Sequence, residues 1–216
     1  MLEKTKTYRA KKPSRSEHRE EKEKAIYDAA RSVFAESGFK GATTAEIARR
    51  ADVPKASLHY YYPTKEALYR AVTEDVLTNW LQAASSFDEA SDPAEAIAAY
   101  VGAKMDLARA DPLGSRIWAN EILHGAPVIG DFLETTLMDW LKSREAIVTR
   151  WIKSGKIVEM EPRYFFYMIW ATTQHYADFE VQMRALNGGK PLSDQQFSVA
   201  KAQVIASISR AVLARP

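Results

Sequence analysis

Apolar residues along this chain recur at intervals of three and four rather than two, the spacing that gathers side chains on one face of an α-helix. No run alternates apolar and polar residues between turn signals, so nothing reads as a hairpin. Proline and glycine mark where the periodic segments begin and end. Asp92-Pro93, Asp111-Pro112 and Glu161-Pro162 each set an acid before proline and helix-forming sequence after it. Proline at the first helical position gives up an N–H that has no intrahelical partner, and the acid suits the positive end of the helix dipole. Gly38, Gly125, Gly155 and Gly188-Gly189 close periodic segments, where glycine takes a left-handed cap at little cost. The expected fold is all-α, with about nine helices over 18–37, 43–50, 54–61, 64–86, 93–109, 112–124, 127–154, 162–186 and 193–213.

Composition narrows the classes. The 216 residues are 46% hydrophobic and 27% charged, ordinary for a globular chain that buries a core of its own. There is no cysteine, which excludes disulfide scaffolds, thiolate metal centres and cysteine nucleophiles. Net charge is +2, from 30 Lys+Arg against 28 Asp+Glu, so any contact with nucleic acid has to be local. Leu2 runs straight into Glu3, Lys4 and Lys6 without an apolar signal segment. Tyr164 to Ala177 is the longest apolar stretch free of charged residues, and it falls short of the roughly 20 residues a membrane span needs. A cytoplasmic protein with no membrane partner is the expectation. Lys4, Lys6, Arg9, Lys11, Lys12 and Arg15 form the one biased segment, expected to be a disordered basic arm over 1–17 that is either a solvated tail or a contact for nucleic acid.

The densest local signal lies between Thr43 and Tyr61. Thr43-x-x-Glu46 has the spacing of a capping box, which starts a helix there. Ile47, Ala48 and Ala51 make its apolar stripe, Asp52-Val53-Pro54 turns the chain, and a second short helix follows with Leu58 inward. Lys55, Ser57, His59 and Tyr60 stay on the outer faces. A cation, a hydroxyl, an imidazole and a phenol on one short helix suit base edges and phosphates of a major groove. The pattern is a helix-turn-helix, in which Tyr61 and Tyr62 are expected to pack rather than read bases.

Phe34-x-x-x-Gly38-Phe39-x-Gly41-x-Thr43-Thr44, Ile47-Ala48-x-x-Ala51-x-Val53 and Leu58-x-Tyr60-Tyr61-Tyr62-Pro63-x-Lys65-Glu66-Ala67-Leu68 together resemble the TetR family of bacterial repressors over about residues 22–70. The resemblance implies a DNA-binding domain over 18–64, joined by a linker helix to a ligand-binding and dimerisation domain over 65–216. It further implies a homodimer on a pseudo-palindromic operator. It assigns Lys55–Tyr61 as recognition helix and Lys65 as a phosphate contact, with Thr44 at a helix start facing phosphate. Pro54 stands where many members carry a capping serine.

Beyond residue 70 the chain holds more helix than DNA binding needs. Trp151, Phe165, Ile169 and Tyr176 read as a buried stripe. Phe166, Trp170, Gln174 and Asp178 follow at intervals of four and share a face. A buried amide beside an indole needs partners, at a cost of roughly 1–3 kcal/mol if it has none. Those partners are a flat heteroaromatic ligand on one reading, and a backbone carbonyl or water on the other. The segments Ile122-Leu123-x-Gly125-Ala126-Pro127, Trp151-Ile152-Lys153-Ser154-Gly155-Lys156 and Met168 to Phe179 resemble a subgroup of the family that controls pyrimidine breakdown and is released by uracil or thymine. That resemblance places Trp80, Lys104, Trp170 and Gln174 around the base, with Asp178, Glu121 and Tyr176 next in order. Trp118 and His124 stand where the subgroup carries smaller residues, which directs attention to other small aromatic or acidic ligands as well. Lys104 also has a plain reading as a solvated helix residue. Phe197, Val204, Ile205, Ile208 and Val212 form a last stripe, expected either to pair with a symmetry mate or to join the chain's own core.

An enzyme is not expected. Glu121-x-x-His124 and His175-x-x-Asp178 have helical metal-site spacing, but a carboxylate-bridged centre needs two Glu-x-x-His units. No phosphate-binding loop, zinc motif or nucleophile elbow is present. No cofactor and no metal are expected.

Overall fold

The computed structural model describes residues 14–85, 87 and 92–214. It is helical as expected, with ten helices of seven residues or more among the described residues. An antiparallel bridge of Ile157 with Leu213 is the β-type pairing found there. None of these helices is long and apolar enough to cross a membrane.

The first unit is α1 (Arg15–Gly41), α2 (Thr44–Arg50) and α3 (Lys55–Tyr61). Helix α1 begins three residues before the expected start, because Ser14 accepts from the Glu17 N–H while the Glu17 carboxylate accepts from the Ser14 N–H. Residues 15–17 are therefore its first turn and not part of an arm; residues 1–13 of that expectation lie outside the described residues. Gly38, at φ +64°, puts a kink into the end of α1 that few side chains would tolerate. At α2, Thr43 accepts from the Glu46 N–H at 3.1 Å, but the reciprocal half of the expected capping box is missing. The Glu46 carboxylate is taken by Arg49 and Arg50 instead. Ile26, Ala30, Phe34, Ile47 and Leu58 pack as the core of this unit, with Tyr61 and Tyr62 against it.

Helix α4 (Lys65–Gln82), capped by Thr64, crosses from one core to the next. Its Leu68, Tyr69 and Val72 belong to the first core, its Val76, Leu77 and Trp80 to a separate cluster further along. A single 3₁₀ turn, Ala83–Ser85, follows. Helices α5 (Pro93–Ala110) and α6 (Pro112–Leu123) open with Asp92 and Asp111 as caps ahead of proline, as the Asp-Pro pairs predict. The expected helix over 127–154 is replaced by a turn at Gly130–Phe132, a π-helical turn at Leu133–Leu137 and α7 (Met138–Lys153). The expected helix over 162–186 is broken at Phe179 into α8 (Pro162–Asp178) and α9 (Glu180–Leu186). The chain ends in α10 (Asp194–Val212), which Ser193 starts with a complete capping box.

Phe87, Tyr100, Trp151, Phe165 and Phe166 interlock as the aromatic centre of the second unit. The α10 stripe closes it: Ile208 and Val212 are buried in that core, and Val204 and Ile205 pack against it. The stripe thus serves the chain's own core, the second of the two roles expected of it. The outer face of α10 carries Val199, Ala202, Gln203 and Ser207, all exposed.

Candidate functional site

Helix α3 presents one face to solvent. Its Leu58 is fully buried, which fixes the rotation of the helix, while Lys55, His59 and Tyr60 are exposed and Ser57 is half-buried. Tyr60 is 70% exposed, with the Arg19 guanidinium 5.8 Å from its ring centre. A large phenol left in water beside a guanidinium is an unusual surface choice, and both groups suit a polyanion. His59 Nδ1 lies 3.3 Å from the Pro63 carbonyl. Tyr61 turns inward and donates its hydroxyl to the Arg19 carbonyl at 3.2 Å. Pro54 occupies the N-cap of α3 without a side-chain hydrogen bond. Thr44, half-buried, is the first residue of α2.

Lys65, the first residue of α4, is half-buried. Its ammonium is folded against the domain, donating to the Phe39 carbonyl at 2.8 Å and the Ala42 carbonyl at 3.0 Å over the Phe39 ring. Those carbonyls belong to the kinked end of α1, where helical partners run out. The lysine closes that end with two of its three ammonium N–H groups.

The second unit encloses a cavity of about 40 Å³ lined by Leu77, Trp80, Leu81, Tyr100, Lys104, Trp118, Leu137, Trp140, Trp170 and Gln174. By the same measure a water needs roughly 10–15 Å³, so the space suits a few waters or one single-layer ring. Five helices, α4 to α8, converge on it, and the π-helical turn adds Leu137. Trp80 comes from α4 and meets Trp118 of α6 edge-to-face at 5.4 Å. Lys104 of α5 is 4% exposed, with Nζ 4.1 Å from the Trp80 ring centre. Trp170 of α8 donates its indole N–H to the Tyr100 hydroxyl at 2.9 Å. The Trp140 indole nitrogen is buried with no hydrogen-bond partner among the described residues. Burial pulls the Lys104 ammonium down to about 7, against a weaker opposing pull from Asp178.

Of the residues expected around a ligand, Trp80, Lys104, Trp118, Trp170 and Gln174 line this one space. Lys104 is not a solvated helix residue. Asp178 stands outside it, on a surface groove that shares Trp118 and Gln174 with the cavity. It accepts from the Ser115 hydroxyl, and burial raises its carboxyl above the ordinary range. Tyr176 faces another groove beside Arg109 and Phe197. Glu121 is on the far side of α6, 2% exposed, where its Oε1 accepts from the Val128 and Ile129 N–H groups at 2.7 and 3.1 Å. The Tyr69 hydroxyl shares this carboxylate. Glu121 thus holds the turn after α6 against α4, and the cavity does not include it. Tyr100 and Trp140 line the cavity without having been expected there. They sit on α5 and α7, and no spacing in the sequence joins them to the Trp170–Gln174 face.

Helix α6 connects the two sites. Ile117 is buried in the first core while its neighbour Trp118 lines the cavity. Asp111, the α6 cap, accepts from the Gly114 N–H at 2.9 Å and pairs with Arg31 of α1. Arg70 of α4 bonds the Val128 carbonyl and pairs with Asp131 at 3.0 Å.

Residues 26–72 match the family described as bacterial regulatory proteins, tetR family. Residues 73–215 match the C-terminal region of YcdC-like protein. The HTH-type transcriptional regulator RutR of Escherichia coli K12 is 41% identical over 176 residues, 82% of either chain. The A-factor receptor protein of Streptomyces griseus is 28% identical over 120 residues, 52% of this chain and 41% of that one. Among solved structures, a TetR family transcription regulator from Marinobacter aquaeolei superposes with a TM-score of 0.65 at 22% identity, covering 93% of this chain and 100% of that one. The regulator FadR from Bacillus subtilis, in complex with stearoyl-CoA, gives 0.65 at 20% identity over 87% and 98%.

Proposed function

This chain belongs to the TetR family of bacterial regulatory proteins, and from that premise we propose that it is a repressor whose hold on its operator weakens when a pyrimidine base, uracil or thymine, fills the cavity between Trp80 and Trp170. The family makes it a DNA-binding transcriptional regulator and not an enzyme. The observation that carries the ligand reading is the convergence of Trp80, Lys104, Trp170 and Gln174 on one cavity of single-ring size. Indole faces stack on a flat ring, and an amide pairs with a group that both donates and accepts. The likeness to RutR along most of the chain supports the same reading, together with a role in pyrimidine breakdown.

DNA contact falls to Lys55, Ser57, His59 and Tyr60 on α3, with Thr44 at the start of α2 and the basic segment before α1 adding phosphate contacts. A homodimer would set two α3 helices into successive major grooves, about one helical turn apart on a pseudo-palindromic site. A second reading keeps the cavity and changes its occupant to another small aromatic or acidic ring; Lys104, without a hydrogen-bond or ion-pair partner among the described residues, and the bulk of Trp118 favour it.

Titration calorimetry with uracil and then thymine, followed by operator release in a binding assay, tests this. Gln174→Ala is expected to weaken ligand binding roughly tenfold or more and leave operator affinity intact. Lys55→Ala is expected to do the reverse. Equal loss of both activities in either variant would sink the two-site scheme, and silence toward both bases with operator binding intact would detach the repressor from pyrimidines.

A further inference from the structure

Lys104 sits in the cavity wall with its charge incompletely answered. The Trp80 face lies under its Nζ and supplies a cation–π contact, but Nζ makes no hydrogen bond or ion pair among the described residues. The charged and titratable groups around it are few. Helix α4 brings Leu77, Trp80 and Leu81 to the cavity, and α6 brings Trp118, none of them ionisable. Helix α7 contributes Arg144, stacked 5.3 Å from the Trp140 ring centre. Helix α8 contributes Asp178, which is engaged by Ser115 and neighboured by His175. On α5 itself Tyr100 shares the cavity wall, while Asp106 binds Lys201 of α10 at 2.7 Å. The wall offers the Lys104 ammonium, the Tyr100 O–H and the Gln174 amide N–H as donors, against the Gln174 carbonyl and a Tyr100 oxygen that already accepts the Trp170 N–H. A ring that settles here has to bring oxygen acceptors.

We propose that ligand entry is proton-linked through Lys104: a planar ring enters with a carbonyl or carboxylate oxygen facing Nζ, and the amine takes up a proton from solvent as the ring arrives. This rests on the cavity being the effector site. With Lys104 pulled to about 7 by burial, the empty protein near neutral pH holds a mixture of amine and ammonium. An acceptor oxygen at hydrogen-bond distance favours the ammonium and raises its pKa. The ligand therefore binds the charged form more tightly, and affinity falls as pH rises through the range where the empty site loses its proton. A neutral base and a ring carboxylate share this chemistry, and two probes separate them: uracil, and orotate as a pyrimidine bearing a carboxylate.

Calorimetric titration of the full chain with each probe at pH 7.5, in two buffers of different ionisation heat, reads the proton directly. Expected is uptake of about half a proton or more per site, with affinity falling roughly tenfold between pH 7 and 8.5. Tighter binding of orotate than of uracil identifies the carboxylate as the preferred acceptor; the opposite order identifies the ring carbonyl. Lys104→Met removes the titrating group and should flatten the pH profile. Asp178→Asn keeps Lys104 and removes the opposing charge, so the fall should move to lower pH, which preserves the test if the methionine variant does not fold. Buffer-independent heats and a flat profile between pH 6.5 and 8.5 overturn the linkage while leaving the cavity as effector site. Absence of binding by both probes overturns the linkage and the site together.

Discussion

Lys65 and Lys104 put the same side chain into different surroundings, and neither surrounding is visible in local sequence. Lys65 follows an aromatic-proline pair and reads as a phosphate contact, yet its ammonium closes the end of α1 through the Phe39 and Ala42 carbonyls. Hydrogen bonds from a charged donor contribute about 1.5–3 kcal/mol when buried; half-exposure brings the pair toward the lower end. Lys65→Met is therefore expected to lower the stability of the DNA-binding unit by about 1–2 kcal/mol in a denaturant melt. The slope of operator affinity against salt should stay as it was. A true phosphate contact would give the opposite pair of results, an unchanged melt and a slope smaller by about one. For Lys104 the reverse happened: a residue with a plain surface reading is buried in the cavity wall, because the aromatic side chains that cover it come from α4 and α6.

At the scale of elements, local chemistry made the first unit legible and the second less so. The turn at Asp52, the buried Leu58 and the caps at Thr43 and Thr64 act over a few residues, so their spacing carries the structure. The Asp-Pro starts of α5 and α6 were readable for the same reason. What the pattern lacked was the π-helical turn before α7 and the break at Phe179, both inside sequence that keeps helical periodicity. Neither Leu133–Leu137 nor Phe179 carries the proline or glycine that marks other helix ends, so the periodic pattern runs through both. Helix α6 shows another close fit that composition hides. A methyl group on Gly114 would come within 2.3 Å of the Asp111 carboxylate and 2.9 Å of a Val76 methyl carbon, so only glycine lets the cap and α4 approach so near. Gly114→Ala is expected to cost about 1–3 kcal/mol through overpacking, a fall in melting temperature of roughly 2–4 °C per kcal/mol. An unchanged melt would mean that Asp111 swings aside freely, and its tie to Arg31 would then count for little.

For the whole molecule the question is how a ring in the second unit reaches α3. Ile117 and Trp118 are neighbours on α6, one in the core that also holds Leu58 of α3 and one in the cavity wall. A ring that displaces Trp118 therefore strains the same helix that anchors α1 through Asp111 and Arg31. The Arg70 bonds to Val128 and Asp131 give α4 a parallel tie to the turn after α6. On the proposed repressor scheme, ligand and operator weaken each other by one common factor, ordinarily 5- to 150-fold. If α6 transmits that antagonism, loosening its hold on α1 should lower the factor without removing either site. Arg31→Gln, remote from the cavity wall and from the exposed face of α3, is expected to leave each separate affinity within about threefold and to bring the coupling down severalfold toward one. The measurement is operator affinity with and without saturating ligand, for both proteins. Full antagonism in the variant would assign the transmission to α4 and its Arg70 tie, and the same pair of titrations on Arg70→Gln would then carry the loss.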